Sequence, residues 1–309
     1  MAEAKATREA FGEALARVGE DERVVALDGD LLKSTYTSLF RERFPERFVE
    51  CGIAESNMVG VASGLALSGK IPFAASFACF IAGRLETIRM SVGYQETPVR
   101  LVGTHAGVGI GEDGASQMGL EDIAAMRALP NMTVIQPADA IETERAVELL
   151  IEHEGPAYLR LTRQKVEMVN HIDYRFELGT AVVLREGSDV ALLGTGGTVQ
   201  ECLAAAEELA GEGVEARVVN VHTLKPIDRD AVLGAARECG ALVTVEDHFV
   251  TGGLGSAVAE VLAGDGAAPR LRVLGVETYG QSGQPAELYD HYGISAGHIA
   301  AAARAPGTT

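Results

Sequence analysis

The chain has 309 residues, 47% of them hydrophobic and 23% charged, a balance typical of a folded protein with room for two cores. Its 26 basic and 44 acidic residues give a net charge of −18, which argues against nucleic acid or an anionic membrane as a partner. The charged amino-terminal segment lacks the apolar core of a signal peptide, and no apolar run approaches the length of a membrane span, so we expect a cytoplasmic protein.

Short β-branched runs alternate with helical patterns along the chain. In the first half, strands are predicted at residues 23–27, 72–75, 99–103, 132–136 and 157–162. The pattern lapses over residues 164–178, which we interpret as an interdomain connection. It then resumes with strands at 189–194, 216–221, 241–246 and 271–275, and with helices such as 200–210 and 228–238. This alternation predicts an α/β fold of two tandem doubly wound domains with mostly parallel sheets.

The most informative segment is residues 51–58 (CGIAESNM), where Glu55 heads a stretch rich in glycine, alanine, valine and leucine. An unpaired acid in such surroundings is expected to take up a proton, which makes it a candidate for chemistry. Thiamine diphosphate requires a desolvated carboxylate at N1′ of its aminopyrimidine, because that contact lets the exocyclic amine act as a base. The alternative is an ordinary acidic residue near a helix N-terminus.

Two further segments follow predicted strands. Phe77 and Phe80 lie at the entry to a helix and would share one helical face, either as a wall for a flat heteroaromatic ring or as ordinary core packing. Residues 104–117 (THAGVGIGEDGASQ) form a glycine-rich loop after a strand, and ligands of parallel sheets lie beyond the carboxyl ends of the strands. His105 and Asp113 are placed there so that they can hydrogen-bond a polyhydroxylated substrate.

Three other glycine-rich segments are interpreted as backbone features. Residues 264–266 (GDG) follow a predicted helix rather than a strand and indicate a turn. Residues 194–197 (GTGG) and 252–256 (GGLGS) follow strands and open helices, where an anion can bind, although glycines at such turns mostly serve backbone geometry.

The chain resembles the second half of a transketolase, and the resemblance runs almost from end to end. It is carried by residues 6–8 (ATR), 26–30 (ALDGD), 34–35 (ST), 53–55 (IAE), 57–58 (NM), 111–114 (GEDG), 245–248 (VEDH) and 282–287 (SGQPAE). Several of these segments are closer to the animal-type branch than to the plant and yeast type. The resemblance implies a pyrimidine-binding domain over residues 1–165, a linker over 166–180 and a transketolase C-terminal domain over 181–309.

The resemblance also implies which residues hold the cofactor. Glu55 corresponds to the catalytic glutamate that activates the aminopyrimidine, and Phe77 and Phe80 correspond to the aromatic pocket around that ring. Gln117 stands where many relatives have a histidine, so hydrogen bonding to the cofactor is expected there rather than acid–base work. Gly83 stands where some relatives have an aromatic residue, which leaves a third ring wall in question.

A second set of residues is implied for the sugar substrates. His105, with a catalytic role, and Asp113 correspond to residues that hold the hydroxyl groups of the donor. Arg8, Ser34 and Arg163 correspond to the substrate-phosphate site, which suits an acidic protein because guanidinium groups bind a phosphate bidentately.

The diphosphate-and-magnesium motif of a transketolase is not found in the sequence. We therefore expect a split enzyme, in which an N-terminal-half subunit supplies the diphosphate site and the Mg²⁺ ligands within an α2β2 assembly. The implied reaction transfers a two-carbon ketol unit between phosphorylated sugars, as in the pentose phosphate pathway. The alternatives are the β subunit of a thiamine-dependent 2-oxoacid dehydrogenase, which would need no sugar-phosphate pocket, and a non-catalytic assembly partner.

Overall fold

Seven strands form the larger sheet of the computed structural model, which describes residues 3–304. Numbered in chain order, they are β2 (Val24–Asp28), β3 (Phe48–Glu50), β4 (Ile71–Phe77), β5 (Arg100–Thr104), β6 (Thr133–Ile135), β7 (Ala157–Arg160) and β12 (Thr223–Lys225). Their spatial order is β12-β6-β7-β5-β4-β2-β3, and β12 alone runs antiparallel to its neighbour. A two-stranded ribbon pairs β1 (Lys5–Ala6) with β8 (Lys165–Val166).

The second sheet has five strands in the order β14-β13-β10-β11-β9. They are β9 (Val182–Arg185), β10 (Val190–Gly194), β11 (Ala216–Asn220), β13 (Ala241–Phe249) and β14 (Arg270–Val276). Only β9 is antiparallel to its neighbour. The predicted α/β fold with two mostly parallel sheets is therefore confirmed.

Helices connect the strands and cover the sheets. Within the described residues the α-helices are α1 (Thr7–Val18), α2 (Ser38–Arg43), α3 (Glu55–Leu67), α4 (Ala78–Ala82), α5 (Leu85–Ile88), α6 (Asp122–Arg127), α7 (Ala140–Leu150), α8 (Thr198–Ala210), α9 (Arg229–Cys239), α10 (Leu254–Asp265), α11 (Pro285–His291) and α12 (Ala296–Arg304). None of the helices in residues 3–304 is long and apolar enough to span a bilayer.

The two sheets share part of their core. One hydrophobic cluster contains Leu27 and Met58 from the first unit together with Leu193 and Leu254 from the second. Strand β12 strengthens the connection, because it lies in the sequence of the second unit but completes the edge of the first sheet. An edge strand covered in this way exposes no row of unpaired main-chain groups on β6.

The glycine-rich helix starts are filled by the protein's own side chains, in agreement with the backbone interpretation. The Glu246 carboxylate accepts hydrogen bonds from the N–H groups of Leu254 (2.6 Å) and Gly255 (2.9 Å) at the start of α10, and burial raises the pKa of Glu246 to about 7. At α8, the Gln136 side chain lies directly against Gly196. The turn predicted over the GDG segment is confined to Gly266, which ends α10 at φ 76°, because Gly264 and Asp265 still belong to the helix.

Candidate active site

The predicted site residues gather at the carboxyl edge of the first sheet. Phe77 is the last residue of β4, His105 directly follows β5, and Arg163 follows β7. Glu55 begins α3, shortly after β3 ends. Because these strands are parallel, their carboxyl ends meet at one edge, where ligands of such sheets bind. The topology thus brings together residues that lie more than a hundred positions apart in the sequence.

Glu55 is buried, with 5% of its surface exposed. Its carboxylate is not fully unpaired, because Oε2 lies 3.8 Å from a terminal nitrogen of the half-exposed Arg84. Within residues 3–304 the carboxylate has no other hydrogen-bond or ion-pair partner, and the N-cap residue Ala54 makes no side-chain capping bond. A cap role therefore does not account for the acid. Gly29 lies beside the acid, and a Cβ there would lie 3.7 Å from Oε1 and 3.8 Å from Ser76 Oγ.

Three rings form a continuous stack beside this acid. The Phe77 and Phe80 rings are 5.5 Å apart and nearly parallel, at 8°, and the His105 ring lies 3.8 Å from Phe77. The predicted shared helical face is wrong, because Phe77 ends strand β4 whereas Phe80 lies in α4. The rings meet because the strand turns directly into the helix. Ser76, the residue before Phe77, has a buried Oγ with no partner among the described residues.

His105 is held as a neutral imidazole. Its Nε2 lies 2.9 Å from an Arg8 nitrogen, and its Nδ1 lies 2.9 Å from Thr104 Oγ1. A guanidinium group can only donate, so Nε2 accepts and the proton resides on Nδ1. Burial, together with the charges of Arg8 and Arg163, lowers the pKa of His105 to about 3. The backbone here is in the left-handed region, at φ 57°, which is uncommon outside glycine.

Arg8 connects the residues of the predicted phosphate site. It donates to the main-chain oxygen of Ser34 at 2.8 Å, and its guanidinium lies 5.4 Å from the Tyr36 ring centroid. Burial lowers the pKa of Arg8. The charge of Arg163 lowers this pKa further, whereas the charge of Asp113 raises it. The Nε atom of Arg8 is buried without a partner among residues 3–304. The site therefore holds a guanidinium group with donor capacity to spare.

The remaining predicted residues, Arg163, Asp113 and Gln117, lie in the glycine-rich loop or against it. Arg163 donates to the Ile110 oxygen at 2.7 Å, whereas Asp113 is exposed at the tip of the loop. Gln117 ends a short 3-10 helix, and its side chain contacts only Ser116 (3.4 Å) among the described residues. The structure thus links Arg8, Ser34 and His105 directly and leaves the side chain of Gln117 apart from them.

Two residues near the acid were missed by the sequence interpretation. Arg84 follows Gly83, the exposed residue that ends α4, and one of its terminal nitrogens lies 3.8 Å from Glu55 Oε2. No sequence signal identifies Arg84, since its reach to Glu55 depends on how α4 ends. Ser76 could have been found, because it directly precedes an aromatic residue at a strand end. Within the described part of the chain, no group of three or more metal-ligating side chains is arranged to hold an ion.

Comparison with known proteins identifies the family. Residues 3–168 match the transketolase pyrimidine-binding domain, and residues 179–299 match the transketolase C-terminal domain. The chain belongs to the transketolase family. It corresponds to the section of a transketolase that contains these two domains, so the predicted resemblance is confirmed.

Relatives of this transketolase section fall into two lengths. A putative transketolase C-terminal section of Methanocaldococcus jannaschii is 44% identical over 301 residues, which cover 96% of this chain and 94% of the relative. A solved structure described as a split-gene transketolase in an inactive β4 tetramer is 47% identical, with a TM-score of 0.90 and 98% of both chains covered. Human transketolase is 42% identical over 97% of this chain, but the chain spans only 48% of that protein.

Proposed function

We propose that this chain is a subunit of a split transketolase that transfers a two-carbon ketol unit from a ketose phosphate to an aldose phosphate. The observation that carries the proposal is the buried carboxylate of Glu55 at the sheet edge, beside the stacked rings of Phe77 and Phe80. A buried carboxylate without main-chain donors is an energetic cost that stability alone does not explain. The implied cofactors are thiamine diphosphate and Mg²⁺, with the metal ligands on the partner subunit.

The residues at this edge fit an aminopyrimidine ring. Glu55 would accept a hydrogen bond from the ring nitrogen N1′, and Phe77 and Phe80 would pack around the ring. The partnerless Oγ of Ser76 supplies a polar group in an otherwise apolar wall. Gln117 would add a hydrogen bond. When bound, thiamine diphosphate supplies the carbon nucleophile that carries the ketol unit.

The residues beyond the ring pair fit a phosphorylated sugar. Arg8, Ser34 and Arg163 would hold the phosphate, because a phosphate oxygen gives the partnerless Arg8 Nε the acceptor that it lacks. Asp113 and His105 would orient the hydroxyl groups of the donor. His105 is neutral with Nε2 as an acceptor, so once Arg8 turns to the phosphate, Nε2 is free to accept a hydrogen bond from a sugar hydroxyl.

The assembly is the second part of the proposal. The archaeal relative and the split-gene relative have nearly the same length as this chain, which supports a separate subunit for the diphosphate-binding half. We infer an α2β2 enzyme with active sites at the subunit interfaces. Without that subunit, the chain would associate with itself into an inactive tetramer, the state described for the split-gene relative.

Reconstitution tests the proposal. The purified chain is mixed with an N-terminal-half transketolase subunit of the same organism, thiamine diphosphate and Mg²⁺. One sample receives xylulose 5-phosphate with ribose 5-phosphate, and another receives a 2-oxoacid with an electron acceptor. Ketol transfer that requires both subunits is the expected result. Oxidative decarboxylation would instead identify a 2-oxoacid dehydrogenase subunit, and tight binding of the partner without turnover would identify an assembly partner.

A further inference from the structure

The second unit holds the glycine-rich loop of the first unit through one buried carboxylate. Asp247, on β13, accepts a hydrogen bond from the N–H of Val108 at 2.7 Å on one oxygen and from the N–H of Gly109 at 3.0 Å on the other. Asp247 is only 3% exposed. Gly107 has no side chain, and the Asp247 carboxylate occupies the space where its Cβ would lie. This glycine therefore permits the carboxylate to approach the loop.

Residues 282–285 hold the other end of the same loop. The Gln284 side chain donates to Glu112 at 2.8 Å, immediately before Asp113. A Cβ on Gly111 would lie 3.2 Å from the Gly283 oxygen, and one on Gly114 would lie 2.6 Å from the Ser282 hydroxyl. The loop thus fits against the second unit on both sides of the exposed Asp113 carboxylate.

Asp247 is itself fixed by buried groups. Arg160, at the end of β7, donates to the main-chain oxygen of Asp247 at 2.9 Å and pairs with Asp122 at 2.8 Å. Burial raises the pKa of Asp247, and the neighbouring Tyr289 on α11 acts against that rise. Because these groups belong to both units, a shift of the second unit would be transmitted to the loop.

We propose that Asp247 is a positioning residue for the donor sugar, acting through residues 105–117, which carry His105 and Asp113. This inference rests on the proposed transketolase function. A displacement of about 1 Å in substrate-positioning groups is enough to impair binding and turnover strongly. The loop contains glycines at φ 82°, 84° and 80°, residues with wide backbone freedom, so contacts from outside the loop help to fix its shape.

The test compares two neighbouring carboxylates on β13. Asp247→Asn keeps the shape of the side chain but replaces one carboxylate oxygen with an NH₂ group. One of the two loop N–H groups then faces another donor instead of an acceptor. Glu246→Gln is the matched control, because Glu246 is equally buried and also accepts two successive main-chain N–H groups, but those of α10 in its own unit. Each variant is assayed in the reconstituted assembly with xylulose 5-phosphate and with hydroxypyruvate, which carries the same ketol unit without a sugar chain.

We expect Asp247→Asn to raise KM for xylulose 5-phosphate about tenfold or more while KM for hydroxypyruvate stays within about threefold. Glu246→Gln should leave both KM values within about threefold. Equal effects of Asp247→Asn on the two donors, no effect on either, or the same selectivity in Glu246→Gln would overturn the proposal. Gln284→Ala, an exposed change at the N-cap of α11, should raise KM for the sugar phosphate in the same selective way, and an unchanged KM would count against the anchor.

Hydrogen exchange of the isolated chain separates this inference from the proposed function. Amides of residues 105–117 should exchange about tenfold faster in Asp247→Asn, whereas Glu246→Gln should affect only the start of α10. A wild-type assembly that transfers no ketol unit from either donor would refute the proposed function. Unchanged exchange in residues 105–117 would overturn the anchoring role whatever the assay gives.

Discussion

At the scale of single residues, the role proposed for Glu55 is chemical rather than structural. Its carboxylate has one loose ion pair, with Arg84, and caps no helix. We therefore expect Glu55→Gln to leave the chain at least as stable as wild type, because a neutral amide costs less to bury than a carboxylate. In the assembled enzyme, loss of the C2 proton from bound cofactor should slow by a factor of about 10²–10⁴, as is usual when a proton-transfer group is removed. Denaturant titration and proton-exchange NMR measure the two effects.

A matched control is available on the next helix. Glu86 is exposed on α5, so Glu86→Gln changes the charge by the same amount without touching the site. It should alter neither the unfolding free energy nor the exchange rate. An exchange rate in Glu55→Gln equal to that of Glu86→Gln would remove Glu55 from the mechanism.

His105 gives a prediction on pH. Its pKa is about 3 in the folded chain and about 6.5 when unfolded, so between these values the unfolded state binds a proton that the folded state does not. Stability is therefore lost as the pH falls below about 6.5, by about 2 kcal/mol at about pH 5. His105→Asn, which tolerates the left-handed backbone, should lack this loss.

The measurement is the difference between wild type and variant in denaturant midpoint, at about pH 7.5 and about pH 5. A difference is needed because Glu142 and Glu246, whose pKa values burial raises to about 7, act in the opposite direction. Those carboxyl groups favour the folded state as the pH falls. If the difference between wild type and His105→Asn were independent of pH, the assignment of a neutral His105 would be wrong.

At the scale of elements, predictability follows the range of the interactions involved. Strand β10 is predicted nearly in full, because every residue of Val190–Gly194 is buried and the apolar run is local information. Strand β3 is missed, since it is a three-residue edge strand with partly exposed side chains. Strand β12 is missed for another reason. It pairs with β6, about ninety positions earlier in the sequence, and no local pattern encodes such a partner.

The residues of the candidate active site also differ in how far the sequence predicts their contacts. The place of His105 at the sheet edge could be predicted, because the carboxyl ends of parallel strands meet at one edge. The contact between Arg8 and His105 could not, because it depends on a left-handed backbone at His105 that the residue type does not require. The pairing of Arg84 with Glu55 depends likewise on side-chain orientation. Topology is thus readable from the sequence, whereas individual polar contacts are not.

Helix α3 offers a test of local propensity. Gly64 lies in its interior, is exposed, and a Cβ there would meet nothing within 4 Å. Gly64→Ala should therefore stabilise the isolated chain by about 0.5–1 kcal/mol, because alanine lowers the conformational entropy of the unfolded chain. Gly12→Ala in α1 is the opposite case, since its Cβ would lie 2.6 Å from the Tyr36 oxygen, and it should destabilise. Thermal unfolding of both variants measures the two changes in stability. A loss of stability in Gly64→Ala would contradict the open space at that position.

At the scale of the whole molecule, the site lies close to surface that the chain does not cover by itself. Ile53 is 83% exposed and lies two residues before Glu55, and Leu67 at the end of α3 is 69% exposed. Large exposed apolar side chains just before α3 and at its end are typical of a surface that a partner covers. In the proposed assembly, a subunit that covers Ile53 also excludes water from Glu55, so association and catalysis would be linked.

Ile53→Asp tests this linkage. The side chain is almost fully exposed, so the substitution should leave the unfolding free energy of the isolated chain within about 0.5 kcal/mol of wild type. A charge placed in a desolvated interface should weaken association with the N-terminal-half subunit about tenfold to a hundredfold, and self-association of the chain by a similar factor.

Ile172→Asp is the control, since Ile172 is 64% exposed in the segment between the units. Sedimentation equilibrium gives the association constants, and ketol transfer followed on dilution gives the linked activity. Equal association constants for the two variants would place the partner elsewhere, whereas weakened association with full activity at high protein concentration would show that Ile53 acts only through assembly.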